Sequence, residues 1–315
     1  MARIIYIYTC KASIEANATA SSEAIFGSSS RGDSDRLSDR DILIVDDNLP
    51  VLKERAATLR GEGWSVAPYT FGKLDAMSRK ASLFIQHLKL EARIIRDDTG
   101  RLARVLEAFR PRSSYADELL ENANLAKLAA RRPESNLGAL WAADVLYVTL
   151  RNFGILYLAG KQRYVFGFEG LVVGLADEGL IEPSEIERLI LLRHAKASYR
   201  SSATMAPAEA STILARALKT LPTGWFPAHS LPLRPETILA ATVTLPVGAP
   251  PYARLRNLER AYVALVGTGA IGAQAELDTL LQWVRDPRAY ASVAARCERA
   301  LIHQMKLLAG AREMV

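Results

Sequence analysis

Cysteine is nearly missing from this 315-residue chain: Cys10 and Cys297 stand near opposite ends, which gives neither a disulfide framework nor a metal-ligand spacing. Both read as packing residues, because free cysteine is usually buried. Histidine is as sparse. His87, His194, His229 and His303 are scattered at intervals that match no ligand motif. Long apolar runs are also lacking. Val145 to Leu150 and Leu189 to Leu192 are among the most apolar stretches, far short of the roughly 20 residues that span a bilayer. Ile4 to Tyr8 is too short for a signal-peptide core, and Lys11 and Glu15 follow it. These shortages argue against a disulfide-stapled miniprotein, a cysteine–histidine zinc module and a membrane span. They lead us to expect a cytoplasmic protein with no membrane partner.

What is present is the composition of a globular protein, 50% hydrophobic and 23% charged. The length predicts two domains, each able to bury its own core. The net charge of +6 suits a protein that handles nucleotides or RNA, a balance shared by many proteins that do neither.

Composition shifts at about Pro111. Before it, short β-rich runs alternate with helical patterns: strands are predicted at Arg3–Tyr8, Glu23–Phe26, Asp41–Val45, Ser65–Thr70 and Arg93–Arg96. Asp46-Asp47-Asn48-Leu49-Pro50 supplies cap candidates and a first-turn proline for a helix ending near Arg60. Further helices are predicted over Leu83–Ala92 and Leu102–Phe109. After Pro111, Ala, Leu, Arg and Glu recur at helical spacing. The helices predicted there include Tyr115–Ala130, Leu137–Leu158, Gln162–Ala176, Ser184–Tyr199 and Ala208–Leu218, with more beyond. The fold class is therefore α+β: a small sheet-containing domain over 1–111, then a large all-helical domain over 112–315. The Pro222–Pro235 stretch leaves a division into two helical subdomains near 221–235 open.

The chemistry is concentrated in one segment. Ile25-Phe26 leads into Gly27-Ser28; after a spacer of ten residues, Asp39-Arg40-Asp41 runs into Ile42-Leu43-Ile44-Val45. Carboxylates at i and i+2 on a strand share a face, and two hard oxygen ligands beside substrate phosphates suit Mg²⁺ or Mn²⁺. Gly27 lets the backbone approach closely, and Ser28 with the amides that follow can cradle phosphate oxygens. Arg31 lies in the same turn.

This pattern resembles the DNA polymerase β-like nucleotidyltransferase superfamily, whose signature is an apolar residue, Gly-Ser, a spacer of about ten residues, then Asp-x-Asp before an apolar strand. The match covers Ile25 to Val45 residue by residue and extends more loosely to about Leu102. The resemblance implies a minimal mixed-sheet nucleotidyltransferase domain fused to a helical HEPN-type or substrate-binding domain. It also implies a Mg²⁺-bound NTP, with ATP the expected nucleotide, held by Gly27, Ser28, Asp39 and Asp41, and NMP transfer to a hydroxyl of protein, RNA or a small molecule. The chain departs from the family in one respect: the strand expected to carry a third carboxylate, Gly63–Thr70, contains no acid, so Val66, Ala67 and Pro68 are expected where that acid would sit. Glu62 and Asp75 lie just outside it. A rival reading follows, in which a degenerate site binds nucleotide, RNA or a partner protein and acts as a regulator in a defence or toxin–antitoxin module. Assembly into an oligomer or complex stays open.

Lys196 and Arg200, four apart at a helix end, share a face and are further candidates for contact with triphosphate or RNA. The alternative is that they complement the helix dipole. Gly267-Thr268-Gly269-Ala270-Ile271-Gly272 matches a dinucleotide fingerprint but lacks the strand that should follow, so it reads as a connection between helices. Arg151 has Tyr157, not histidine, at the spacing a HEPN nuclease requires, so nuclease activity is not expected.

Overall fold

The computed structural model describes residues 21–119, 122, 129, 136–201 and 205–220. The predicted strand Arg3–Tyr8, both cysteines, the glycine-rich segment Gly267–Gly272 and everything predicted after Thr220 lie outside the described residues. The chain divides into two compact units, Met1–Pro111 and Arg112–Val315. Its class is α+β.

The first unit is built on four strands, β1 (Ser22–Phe26), β2 (Asp41–Val45), β3 (Ser65–Tyr69) and β4 (Arg93–Asp97), in the order β3-β2-β1-β4. β1 runs antiparallel to both its neighbours, and β2 pairs parallel with β3, so the sheet is mixed. The unbroken apolar run Ile42-Leu43-Ile44-Val45 marks a central strand covered on both faces. Leu43 and Val45 join Ala24 and Phe26 against Phe71, Leu74, Ile85, Leu88, Leu102 and Leu106, while Ile42 and Ile44 pack on Leu52, Ala56 and Leu59 of the opposite layer.

Parallel pairing of β2 with β3 requires a crossover, and helix α2 (Leu49–Gly61) supplies it. Of the three cap candidates, Asn48 is the one used: its side chain accepts from the Val51 N–H, and Pro50 occupies the first turn. Asp46 instead accepts the Asn48 N–H at 2.7 Å, and Asp47 accepts the Phe71 N–H at 2.9 Å. Asp47 thereby ties down the start of α3 (Phe71–Arg79), a helix absent from the sequence reading. Helices α4 (Leu83–Glu91) and α5 (Arg101–Ala108) flank β4. A four-residue turn of helix, α1 (Ser28–Arg31), opens the connection from β1 to β2.

In the second unit, the regular elements among the described residues are helical: α6 (Asn136–Gly160), α7 (Phe168–Asp177), a 3-10 turn (Pro183–Glu185), α8 (Ile186–Ser201) and α9 (Pro207–Thr220). The helix predicted from Gln162 starts only at Phe168. Gln162 takes a left-handed conformation, φ 61°, and the Arg163 N–H bonds back to the Leu158 carbonyl, which closes α6 and turns the chain before a new helix can begin. The core centres on Trp141, Leu146, Val172, Leu189, Leu192 and Tyr199. Among the described residues no helix is long and apolar enough to cross a membrane.

Candidate functional site

β1 ends and β2 begins on one rung of the sheet, because Phe26 pairs directly with Asp41. Gly27 follows Phe26 with φ 70° and ψ −150°, a backbone region open in practice only to glycine. Space restricts the position as well. A Cβ on Gly27 would sit 3.0 Å from Asp41 Oδ2, so the Asp41 carboxylate lies against bare backbone. The Gly27 carbonyl accepts from the N–H groups of Ser30 and Arg31, and the Ser28 carbonyl accepts from Gly32, closing the turn. The structure thus brings Gly27 and Asp41 together, with Ser28 and Arg31 in the turn that follows.

Asp39 is placed less simply. Two carboxylates were expected on the strand itself, whereas β2 begins at Asp41 and Asp39 stands exposed in the approach to it. The physical reason is that the antiparallel ladder stops at the Phe26–Asp41 rung, where the chain turns at Gly27. Between the two acids, Arg40 lays its guanidinium over the Trp64 ring, 4.1 Å from the centroid.

Parallel pairing also fixes which β3 residues face Asp41. Ser65 is its direct partner and Ala67 partners Leu43. Of the three residues expected in the region of the third acid, only Ala67 lies on the Asp41 face. Val66 and Pro68 pair with Ile42 and Ile44 and take the other face, because side chains alternate. Asp75 is committed elsewhere: Arg101 donates to it at 2.8 Å and also reaches Asp47 at 3.2 Å.

One of the four scattered histidines borders this turn. His87 of α4 is buried, its ring 5.5 Å from that of Phe26 in an edge-on contact. Its Nε2 meets Glu91 Oε2 at 2.9 Å, one helical turn on, and Arg31 Nη1 donates to the same oxygen. Arg31 Nε donates to Asp33 at 2.9 Å. His87 and Glu91 stand at i and i+4 and could have been read as a same-face pair, but their link to Arg31 crosses 60 positions.

Burial works against ionisation of Glu91, yet the hydrogen bonds and charges of His87 and Arg31 outweigh it and hold the carboxyl below the usual carboxylate range. A carboxylate whose pKa is lowered by folding adds stability above its unfolded value and loses it as pH falls through the folded one. The stability gap between wild type and Glu91→Gln, read from denaturant midpoints, is therefore expected to shrink as pH falls below about 5. A gap that is flat or widens towards pH 3 would contradict this.

As for a cation, no group of three or more His, Cys, Asp and Glu side chains able to hold a metal occurs among the described residues. The donors present are the Asp39 and Asp41 carboxylates, with the cradle left open by the missing Cβ of Gly27. Asp41 stands on β2 and Asp39 before it; carboxylates are the donor type a hard divalent ion takes, and two of them fall short of a full two-metal site.

Lys196 and Arg200 belong to α8 of the helical unit. Arg200 forms a two-point ion pair with buried Asp144 of α6, Nη2 to Oδ2 at 2.5 Å and Nε to Oδ1 at 3.2 Å. Lys196 Nζ lies 5.2 Å from the Tyr147 ring centroid. Arg151 donates to the Phe166 carbonyl at 3.2 Å. Compared with models of known protein families, with curated proteins and with solved structures, the chain gave no match.

Proposed function

We propose that the N-terminal unit is a nucleotide site of the DNA polymerase β-like type, taking a divalent-metal complex of an NTP at Gly27, Ser28, Asp39 and Asp41. The observation that carries this reading is the seating of Gly27 against Asp41. Backbone conformation demands glycine there, a Cβ would crowd the Asp41 carboxylate at 3.0 Å, and that carboxylate stands at the head of a buried strand. A bound Mg²⁺ or Mn²⁺ would supply charge neutralisation for the phosphates. The chain's own part is to present the two carboxylates, the Ser28 hydroxyl and amide, and the Arg31 guanidinium.

In the transferase form of this proposal, an acceptor hydroxyl on protein, RNA or a small molecule attacks the α-phosphorus in line. The bond to the leaving pyrophosphate breaks, and the hydroxyl proton passes to a base. The rival reading, a degenerate site that binds nucleotide, RNA or a partner without transfer, is favoured by one observation: Ser65 and Ala67 carry no carboxylate beside Asp41. The enzyme remains our leading reading, with slow transfer as its corollary.

Two measurements on the full chain test it. Calorimetric titration with ATP is expected to show binding that needs Mg²⁺ or Mn²⁺ and disappears in the double variant Asp39→Ala, Asp41→Ala, since no carboxylate then remains for the ion. Unchanged affinity in the double variant would remove the site assignment. Incubation with each labelled NTP, the metal, and cellular RNA and protein then separates transferase from regulator. Label on an acceptor supports the first; metal-dependent binding without label supports the second.

A further inference from the structure

Arg31 is the only cation in the turn that opens at Gly27, and it is held from two directions. Asp33 takes its Nε–H at 2.9 Å, and Glu91 takes a donor on Nη1. Glu91 is in turn braced by His87 through the same carboxylate oxygen. The His87 ring is wedged edge-on against Phe26 at 5.5 Å and Phe84 at 6.5 Å between centroids. Phe26 is the residue that pairs with Asp41 and precedes Gly27. A chain of contacts therefore runs from the core of the sheet, through α4, to one guanidinium beside the Gly27 turn. The side chains of His87 and Glu91 are only 10% and 13% exposed, and that of Arg31 is 28% exposed, so Glu91 is held more firmly than in a surface pair.

We propose that Glu91, fixed by His87, is a positioning residue that aims Arg31 as a fork for the triphosphate of the bound nucleotide. This rests on reading Gly27 and Asp41 as the nucleotide site. A guanidinium offers planar paired donors suited to phosphate oxygens, and a flexible arginine loses rotamer entropy on every binding event unless something already holds it.

The alternative, a carboxylate that merely ties α1 to α4 and neutralises Arg31, predicts the opposite sign in a simple experiment. Glu91→Gln removes a negative charge close to an anionic ligand. On charge alone, triphosphate binding should tighten. If Glu91 positions Arg31, binding should weaken in spite of the lost repulsion. Calorimetry of the full chain with Mg²⁺ and ATP is expected to give about tenfold weaker binding for Glu91→Gln and for Arg31→Ala. The double variant should be no weaker than Arg31→Ala, since each change removes the same interaction.

Tighter or unchanged binding in Glu91→Gln, or losses that add in the double variant, overturn the positioning role while leaving the site itself standing. Absence of any metal-dependent ATP binding in wild type overturns both. Should Glu91→Gln fail to fold, His87→Gln, which retains a donor towards Glu91, is expected to bind like wild type and His87→Ala more weakly. Equal affinities for those two also overturn the proposal.

Discussion

Replacing Asp144 by alanine is expected to cost the helical unit about 3–5 kcal/mol of stability, the magnitude seen when one member of a buried ion pair is removed. Asp144 stands inside α6 with its side chain 1% exposed, and its partner Arg200 is 12% exposed. Around them Trp141, Leu146 and Tyr199 are fully buried. With the carboxylate gone, the guanidinium loses its two-point acceptor at a site where it is only 12% exposed, and water cannot easily make good the loss. Urea denaturation monitored by circular dichroism provides the measurement. A loss below about 1 kcal/mol would show that Arg200 swings out to solvent at little cost, as exposed pairs do. The double change Asp144→Leu with Arg200→Met is expected to recover most of the loss, because two apolar side chains of similar length need no pairing. This bears on function as well. Arg200 was a candidate for nucleotide contact, and any such contact would have to compete with Asp144.

The second large effect is at Gly27. Gly27→Ala is expected to impose about 1–3 kcal/mol of backbone strain and to make the Asp41 carboxylate give way where it meets the turn, because the new Cβ would arrive 3.0 Å from Oδ2. Metal-dependent ATP binding should fall about 100-fold or more, equivalent to roughly 2.7 kcal/mol. Gly32 is the control. It too has positive φ, 80°, but a Cβ there meets nothing within 4 Å. Gly32→Ala should therefore lose a similar amount of stability to strain, about 1–2 kcal/mol, while binding ATP within a few-fold of wild type. Parallel affinity losses in the two variants would mean that strain in the turn, and not crowding of Asp41, governs binding.

Much of the sheet was legible in the sequence, because central strands carry strong local signals. Ile42 to Val45 form an apolar run bounded by polar residues, and Asn48 with Pro50 announces the helix after it. Gly27, Ser28 and Asp41 could be picked out because strand alternation and a glycine turn are local rules. What escaped depends on partners distant in sequence. α3 contains Gly72 and is short; its first N–H is met by Asp47 from the end of the neighbouring strand, 24 positions away, which no window of neighbours reveals. The Arg31–Glu91 contact spans 60 positions and that of Asp144 with Arg200 spans 56, so neither is visible in a local stretch of sequence. The segment after Gly160 misled for a different reason: Gln162 and Arg163 favour helices on average, and only the left-handed turn at Gln162 stops them.

The direct pairing of Phe26 with Asp41 also bears on how such a protein can diversify. The excursion from Gly27 to Arg40 leaves the sheet and returns to it on the same rung, so its two ends are fixed by the ladder and not by the loop. Lengthening a closed loop costs little, about 0.6 kcal/mol for each doubling. Insertions between Gly32 and Ser38 can therefore reshape whatever meets the site from outside while the glycine and the carboxylate stay where the strands put them. Natural variation, or a designed library, can vary that stretch without having to rediscover the fold.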